Sequence, residues 1–276
     1  MGMARHRRLA ATLLLALLAA CAQPPKDVAY QPKVGQDGKD VIWVPTPDAV
    51  VDRMLDMVQV RAGERLVDLG SGDGKIAIAA ARRGAIARGI EYNPDMVQLS
   101  RRRAREAGVQ VDFEQGDIFA SNFGDADVVT LYLLPRLNER LRPILLNMRP
   151  GTRVTSHQFG MGDWEPDRTD DVGSRRAHLW IVPAKVAGTW ALRIGEEPPI
   201  ALQLQQQFQQ LQGHGVVGGN QAALVSPRLR GPAISFGIPA AGGVMRFEGM
   251  ADSHGYMSGT AVLPGGASRP FTATRR

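Results

Sequence analysis

The chain reads as an α/β protein: a mostly parallel sheet with helices on both faces over residues 40–183, followed by a small antiparallel β domain over residues 184–276. Three observations carry this reading. Short apolar runs alternate with helical patterns after residue 65, as in successive β-α units. The first apolar run ends in a glycine-rich turn that opens a helix. After Pro183 the composition shifts to glycine-punctuated apolar runs without helical periodicity.

The elements follow in order. Val41-Ile42-Trp43-Val44-Pro45-Thr46-Pro47 precedes a stripe at Val50, Val51, Met54, Leu55 and Val58; Thr46 is expected to cap this helix, with Pro47 in its first position. Strands are expected at 66–69, 86–91, 109–115, 127–131 and 152–158, with helices at 75–83, 94–107 and 135–148. A late strand at 177–182 is expected to run antiparallel. In the second domain strands are expected at 189–194, 200–204, 233–238, 244–247, 257–263 and 270–274, some separated by turns such as Gly218-Gly219-Asn220 and Pro264-Gly265-Gly266. The glutamine-rich stretch 203–212 fits a helix or a strand; strand is preferred at its start.

The N-terminus is basic at Arg5, His6, Arg7 and Arg8, then apolar from Leu9 to Leu18, then Leu18-Ala19-Ala20-Cys21. A basic start, a short apolar run and small residues form an export signal, expected over 1–20. The run is short for a membrane span. Leu-Ala-Ala-Cys resembles a bacterial lipobox, which implies acylation of Cys21, a membrane anchor and the periplasmic side of the envelope. If the signal is not used, the chain is cytoplasmic. Residues 21–39, with Pro24, Pro25, Pro32, Gly35 and Gly38, are expected to carry the lipidated cysteine and a linker.

Composition excludes some classes. Cys21 is the one cysteine, so neither an internal disulfide nor a cysteine metal site can form. His6, His157, His178, His214 and His254 show no ligand spacing, so no metal is expected. Net charge is +6; loss of residues 1–20, with three arginines and no acid, leaves about +3. Arg101, Arg102, Arg103 and Arg105 spread around a helix as a solvated face. No nucleic-acid partner is expected. Oligomeric state is not legible.

The chemistry gathers around Val67-Asp68-Leu69-Gly70-Ser71-Gly72-Asp73-Gly74-Lys75. Glycines there permit positive φ and close approach of a ligand to backbone, and the helix N-terminus adds free amides. Asp68 beside the loop would repel a pyrophosphate but could hold a cationic amine. Glu91 ends the second strand, where an acid about 20 residues on grips ribose hydroxyls. Asp117 follows the third strand. Three acids at the C-terminal ends of three strands lie along the edge where α/β sheets bind ligands.

This set resembles the class I S-adenosylmethionine-dependent methyltransferases, whose sheet is Rossmann-like. The resemblance implies that Asp68, Gly70, Ser71, Gly72 and Gly74 hold the methionine part of the cofactor, Glu91 the ribose, and Asp117 with Ile118 the adenine. Val44-Pro45-Thr46-Pro47, Asp68-Leu69-Gly70-Ser71-Gly72-Asp73-Gly74, Gly89-Ile90-Glu91 and Leu131-Tyr132-Leu133-Leu134-Pro135 are similar to the ATP synthase c-subunit lysine methyltransferase-like family. That similarity implies protein-lysine N-methylation and a protein partner. Leu-Tyr-Leu-Leu-Pro stands where nitrogen methyltransferases often carry Asn-Pro-Pro-Tyr, so Tyr132, Leu134 and Pro135 are the candidates for the acceptor side. Trp43, His157 and Trp164 are candidates for the substrate lip. The C-terminal β domain lies outside the resemblance. The rival readings are a non-enzymatic lipoprotein using the fold as a scaffold, and a dinucleotide dehydrogenase, whose Gly-x-Gly-x-x-Gly spacing this loop lacks.

Overall fold

The computed structural model describes residues 30–40 and 42–276. The expected signal segment, Cys21 and the first half of the linker lie outside the described residues.

The first sheet has the strand order β3-β2-β1-β4-β5-β7-β6. Its strands are β1 (Arg65–Leu69), β2 (Ile86–Glu91), β3 (Val111–Gln115), β4 (Val128–Leu131), β5 (Arg153–His157), β6 (Arg168–Val172) and β7 (Arg175–Ile181). β1 to β5 pair in parallel, and β7 runs antiparallel to both β5 and β6. The central strands are apolar because helices cover both faces: all four residues of β4 are buried. β6, Arg-Thr-Asp-Asp-Val, is an edge strand with three charged residues and one apolar one. It carries no hydrophobic run, and the sequence reading missed it.

Helices α1 (Asp48–Met57), α2 (Lys75–Arg82), α3 (Pro94–Glu106) and α4 (Pro135–Leu145) pack on this sheet. α1 buries Val50, Val51, Met54, Leu55 and Met57 along one face. Thr46 does not cap it. Pro47 occupies the cap position without a side-chain bond, and the Thr46 hydroxyl instead lies 3.2 Å from His157 Nδ1. Asn93 caps α3 by accepting the Asp95 amide, with Pro94 in the first turn.

After β3, at one edge, the chain crosses to β4 beside β1. The order reverses between β1 and β4, which opens a crevice above the C-terminal ends of the strands. That crevice is the site.

The second sheet is wholly antiparallel, in the order β11-β10-β9-β8-β16-β15-β14-β13-β12. Its strands are β8 (Gly188–Ile194), β9 (Ile200–Gln207), β10 (Gln210–Val217), β11 (Asn220–Ala223), β12 (Val225–Arg230), β13 (Ala233–Ala240), β14 (Gly243–Ala251), β15 (Tyr256–Val262) and β16 (Ser268–Arg275). The first and last of these strands pair with each other. The sheet curls almost into a barrel: a methyl on Gly215 of β10 would meet the Ile238 side chain of β13 at 2.9 Å. Trp190, Leu192, Leu202, Ile238, Phe247 and Phe271 fill the interior. Strands β10 and β11 escaped sequence reading because glutamine, glycine and alanine dilute their alternation, and β12 because Pro227 and two arginines interrupt it. The glutamine-rich stretch is a β9–β10 hairpin that turns at Phe208 and Gln209.

Candidate active site

The turn after β1 is built on three glycines with positive φ: Gly70 at 73°, Gly72 at 54° and Gly74 at 80°. Two of them leave room toward the crevice. A methyl on Gly70 would lie 3.0 Å from the Leu133 side chain, and one on Gly72 2.9 Å from Trp43 Nε1. Gly74 serves another purpose than the expected one. It faces Phe113 and Ser100, where a methyl would come within 2.6 and 2.9 Å, so it lets the turn pack on β3 and α3. Asp73 is ion-paired with Arg103 of α3, and Lys75 with Asp48 of α1 at 2.8 Å. These contacts fix the loop from both sides.

A cavity of about 300 Å³ lies over this turn, the size of a small-ligand site. Asp68, Gly70, Ser71, Gly72, Glu91, Asp117, Ile118, Trp43, Tyr132 and Leu134 all line it. Asp68 is buried at 2% exposure and accepts the Thr130 hydroxyl at 2.6 Å. Its carboxyl is pushed up to about 7, first by burial, against the pull of the Thr130 bond and with a smaller push from the charges of Asp73 and Glu91. A buried carboxyl of this kind is poised to meet a cation. Among the described residues the buried Ser71 hydroxyl has no hydrogen-bond partner, so it too is open to a ligand.

Glu91 accepts the Gly72 amide on one oxygen and the Asn93 amide on the other, both at 2.9 Å. Each oxygen keeps a lone pair for a ligand hydroxyl, while the carboxylate ties β2 to the glycine turn. Asp117 accepts the Phe119 amide at 2.9 Å and binds Lys39 Nζ at 2.6 Å. The Lys39 ammonium and the Phe119 amide hold the Asp117 carboxyl below its ordinary value.

The segment before α1 is part of the site rather than a linker ending at residue 39. The Gly35 amide donates to the Trp43 carbonyl and the Trp43 amide to the Gln36 carbonyl, each at 2.9 Å. Residues 36–40 and 42–46 therefore fold as a strap along the cavity wall. Lys39, Thr46 and Phe159 were not among the expected site residues. Only the Val-Pro-Thr-Pro segment hinted at the first two, by proximity.

Besides Gly74, three expected residues lie elsewhere than on the cavity wall. Pro135 opens α4 without lining the cavity. His157 is buried behind the wall, its ring centroid 3.9 Å from that of Tyr132; burial, and then the charge of Arg175, push its imidazole down to about 4. Trp164 is fully buried, with its indole N–H donating to Gln209 in the β domain. An indole of that size removes more apolar surface from water inside the protein than at a lip.

The comparisons with known proteins agree with this geometry. Residues 68–168 match the model of the ANTKMT methyltransferase domain. A protein-lysine N-methyltransferase of Saccharolobus islandicus is 37% identical over 131 residues, which are 46% of this chain and 81% of that protein. The chain belongs to this methyltransferase family. The mouse lysine N-methyltransferase of the ATP synthase c-subunit is 37% identical over 134 residues, 48% of this chain and 54% of its own length. A crystal structure of an RNA methyltransferase from Salinibacter ruber with S-adenosylhomocysteine is 52% identical, with a TM-score of 0.51, over 52% of this chain and 96% of that one. The enzyme is thus a class I S-adenosylmethionine-dependent methyltransferase, and the comparisons give no support to the scaffold lipoprotein. The glycine cradle, the buried acid and the unpartnered serine fit that cofactor. The family match ends at Arg168, the first residue of β6, before the C-terminal β domain begins.

Proposed function

We propose that the chain transfers the cofactor's methyl group to the side-chain nitrogen of a protein lysine. The observation that carries this reading is the wall beyond the methionine end of the cavity. Tyr132, Leu134, Leu137 and Phe159 line it, together with Thr46. Tyr132 and Phe159 stack with centroids 6.3 Å apart. An apolar, aromatic passage takes up the aliphatic stem of lysine and strips water from its ammonium. Loss of water lowers the ammonium pKa and frees the lone pair. The relatives named for lysine methylation support the same acceptor class.

When bound, S-adenosylmethionine supplies an activated sulfonium methyl; the nitrogen–carbon bond forms as the sulfur–carbon bond breaks, and the amine proton leaves to solvent. The protein aligns the reactants. Asp68 and Ser71 fix the amino acid end, Glu91 the ribose, and the Tyr132 wall directs the amine in line with the methyl. Alignment of this kind can remove several kcal/mol of barrier, about 7 in well-oriented cases.

The test is transfer of tritium from methyl-labelled cofactor by the full chain, with poly-L-lysine and total RNA as alternative acceptors and Glu91→Ala as the inactive control. Label in the lysine polymer that resists ribonuclease supports the proposal. Label in RNA alone, or in neither, overturns it.

A further inference from the structure

The turn that joins β9 to β10 has only two residues, Phe208 and Gln209, since Gln207 pairs with Gln210. Turns this tight favour Asn-Gly because they require positive φ. Here Phe208 holds a φ of 53°, a conformation that an aromatic residue rarely adopts. Neighbouring groups hold it there: Gln206 Nε2 donates to the Phe208 carbonyl at 2.7 Å and to the Ala184 carbonyl at 2.8 Å. Strain of this kind persists only where other contacts compensate.

Both turn side chains are engaged in the methyltransferase domain. The Phe208 ring stacks on Trp164 with centroids 6.1 Å apart, and the Arg142 guanidinium lies over it at 5.4 Å. Gln209 accepts the Trp164 indole N–H at 3.0 Å and donates to the Glu165 carbonyl at 2.8 Å. Trp164 and Glu165 belong to the loop between β5 and β6. The same loop carries Phe159, which lines the acceptor side of the cavity. Arg142 links the two ends, because it donates to the Met161 carbonyl at 2.9 Å while lying over Phe208. Among the described residues, none of the β domain lines the cavity itself.

We propose that the Phe208–Gln209 tip is a positioning element: through it the C-terminal β domain holds the loop at 158–166, and hence the Phe159 wall, in place for the acceptor while leaving the cofactor side alone. The role in acceptor alignment rests on the function proposed above.

The experiment compares the full chain with Phe208→Gly, Gln209→Ala, Phe208→Tyr and Lys185→Ala. Glycine relieves the positive φ, so loss of the ring is separated from misfolding, which a thermal melt checks. Tyrosine keeps the ring. Lys185, which donates to Asn147, is a second contact between the domains and serves as control. Amide hydrogen exchange at 158–166 is expected to quicken at least tenfold in the first two variants and to stay native in the other two. Affinity for S-adenosylhomocysteine is expected to stay within twofold in all of them. With poly-L-lysine as acceptor, kcat/KM is expected to fall at least tenfold in the first two, and to be restored by Phe208→Tyr. Unchanged exchange, or exchange and cofactor affinity lost together, overturns the proposal. Native kinetics on a loosened loop overturns it as well. If the native chain does not methylate poly-L-lysine, the lysine reading fails, and the split between loop exchange and cofactor affinity alone decides whether the tip holds the wall.

Discussion

The indole of Trp43 lies directly on the backbone of Gly72: a methyl added to that glycine would sit 2.9 Å from Nε1 and 3.2 Å from Cδ1. Gly72 also holds a φ of 54°, and its amide donates to Glu91. Gly72→Ala therefore meets strain and a clash at once. Strain of this class costs about 1–3 kcal/mol, and affinity for S-adenosylhomocysteine is expected to fall roughly tenfold to a hundredfold, since the turn must shift off Glu91. Gly108→Ala is the control. Its φ is 68° with nothing within 4 Å, so it should lower the melting temperature without moving the affinity. Calorimetric titration of both variants decides the matter; equal affinities would remove the close-approach argument.

The same contact makes Trp43 a reporter. Trp164, Trp180 and Trp190 are fully buried, whereas Trp43 is half-buried on the cavity wall. Titration with S-adenosylhomocysteine is expected to change the tryptophan emission, and the change should vanish in Trp43→Phe. A ring remains on Gly72 in that variant. Aromatic contacts differ by about 0.5–1.5 kcal/mol, so calorimetric affinity should drop by no more than about tenfold. A ligand-induced change that survives in Trp43→Phe would place the cofactor against another tryptophan.

How much of this site was legible in the sequence depends on what each residue's neighbours hide. The parallel strands were readable because burial on both faces demands runs such as Val67 to Leu69 and Val128 to Leu131. The acids at their ends followed from topology. β6 was not readable, since an edge strand of Arg168, Thr169, Asp170, Asp171 and Val172 has only one residue that looks like a strand core. The strap was mistaken for linker because Gly35, Gly38 and Lys39 are ordinary linker residues, and its order comes from bonds made across the sequence. His157 and Trp164 were placed at the lip because one ends β5 and the other lies in the loop that follows it. Nothing local says that Thr46 will bond the imidazole or that Gln209, 45 residues away, will take the indole.

Asp68 gives the site a pH dependence with a definite sign. Its carboxyl lies at about 7 in the folded chain, against 3.8 unperturbed. Between those values the folded protein keeps a proton that the unfolded chain has lost. Stability from this group is therefore full below pH 3.8 and is lost as pH rises through 7, by on the order of 4 kcal/mol. Asp68→Asn should flatten that part of the melting-temperature profile. Ligand binding has the opposite sign, because only the ionised carboxyl balances the ammonium of S-adenosylhomocysteine. Affinity should rise roughly tenfold as pH goes from 6 to 8, about fivefold of it between 6 and 7 and about twofold between 7 and 8. A pH-independent affinity in the native chain would mean that Asp68 does not face the ammonium.

Substitution of Tyr132 is expected to separate binding from transfer. Tyr132 follows β4 and lines the cavity, with its ring centroid 3.9 Å from that of His157 and stacked along Phe159. No side chain or backbone group among the described residues binds its hydroxyl, so that group is available to the incoming amine. A hydrogen bond to a charged or developing-charge partner contributes about 1.5–3 kcal/mol. Tyr132→Phe is thus expected to slow methyl transfer to poly-L-lysine roughly tenfold to a hundredfold while S-adenosylhomocysteine affinity stays native. Tyr132→Ala also removes the ring that supports Phe159, so it should slow transfer further and raise KM for the polymer. If Tyr132→Phe transfers at the native rate and Tyr132→Ala does not, the residue acts through its ring alone.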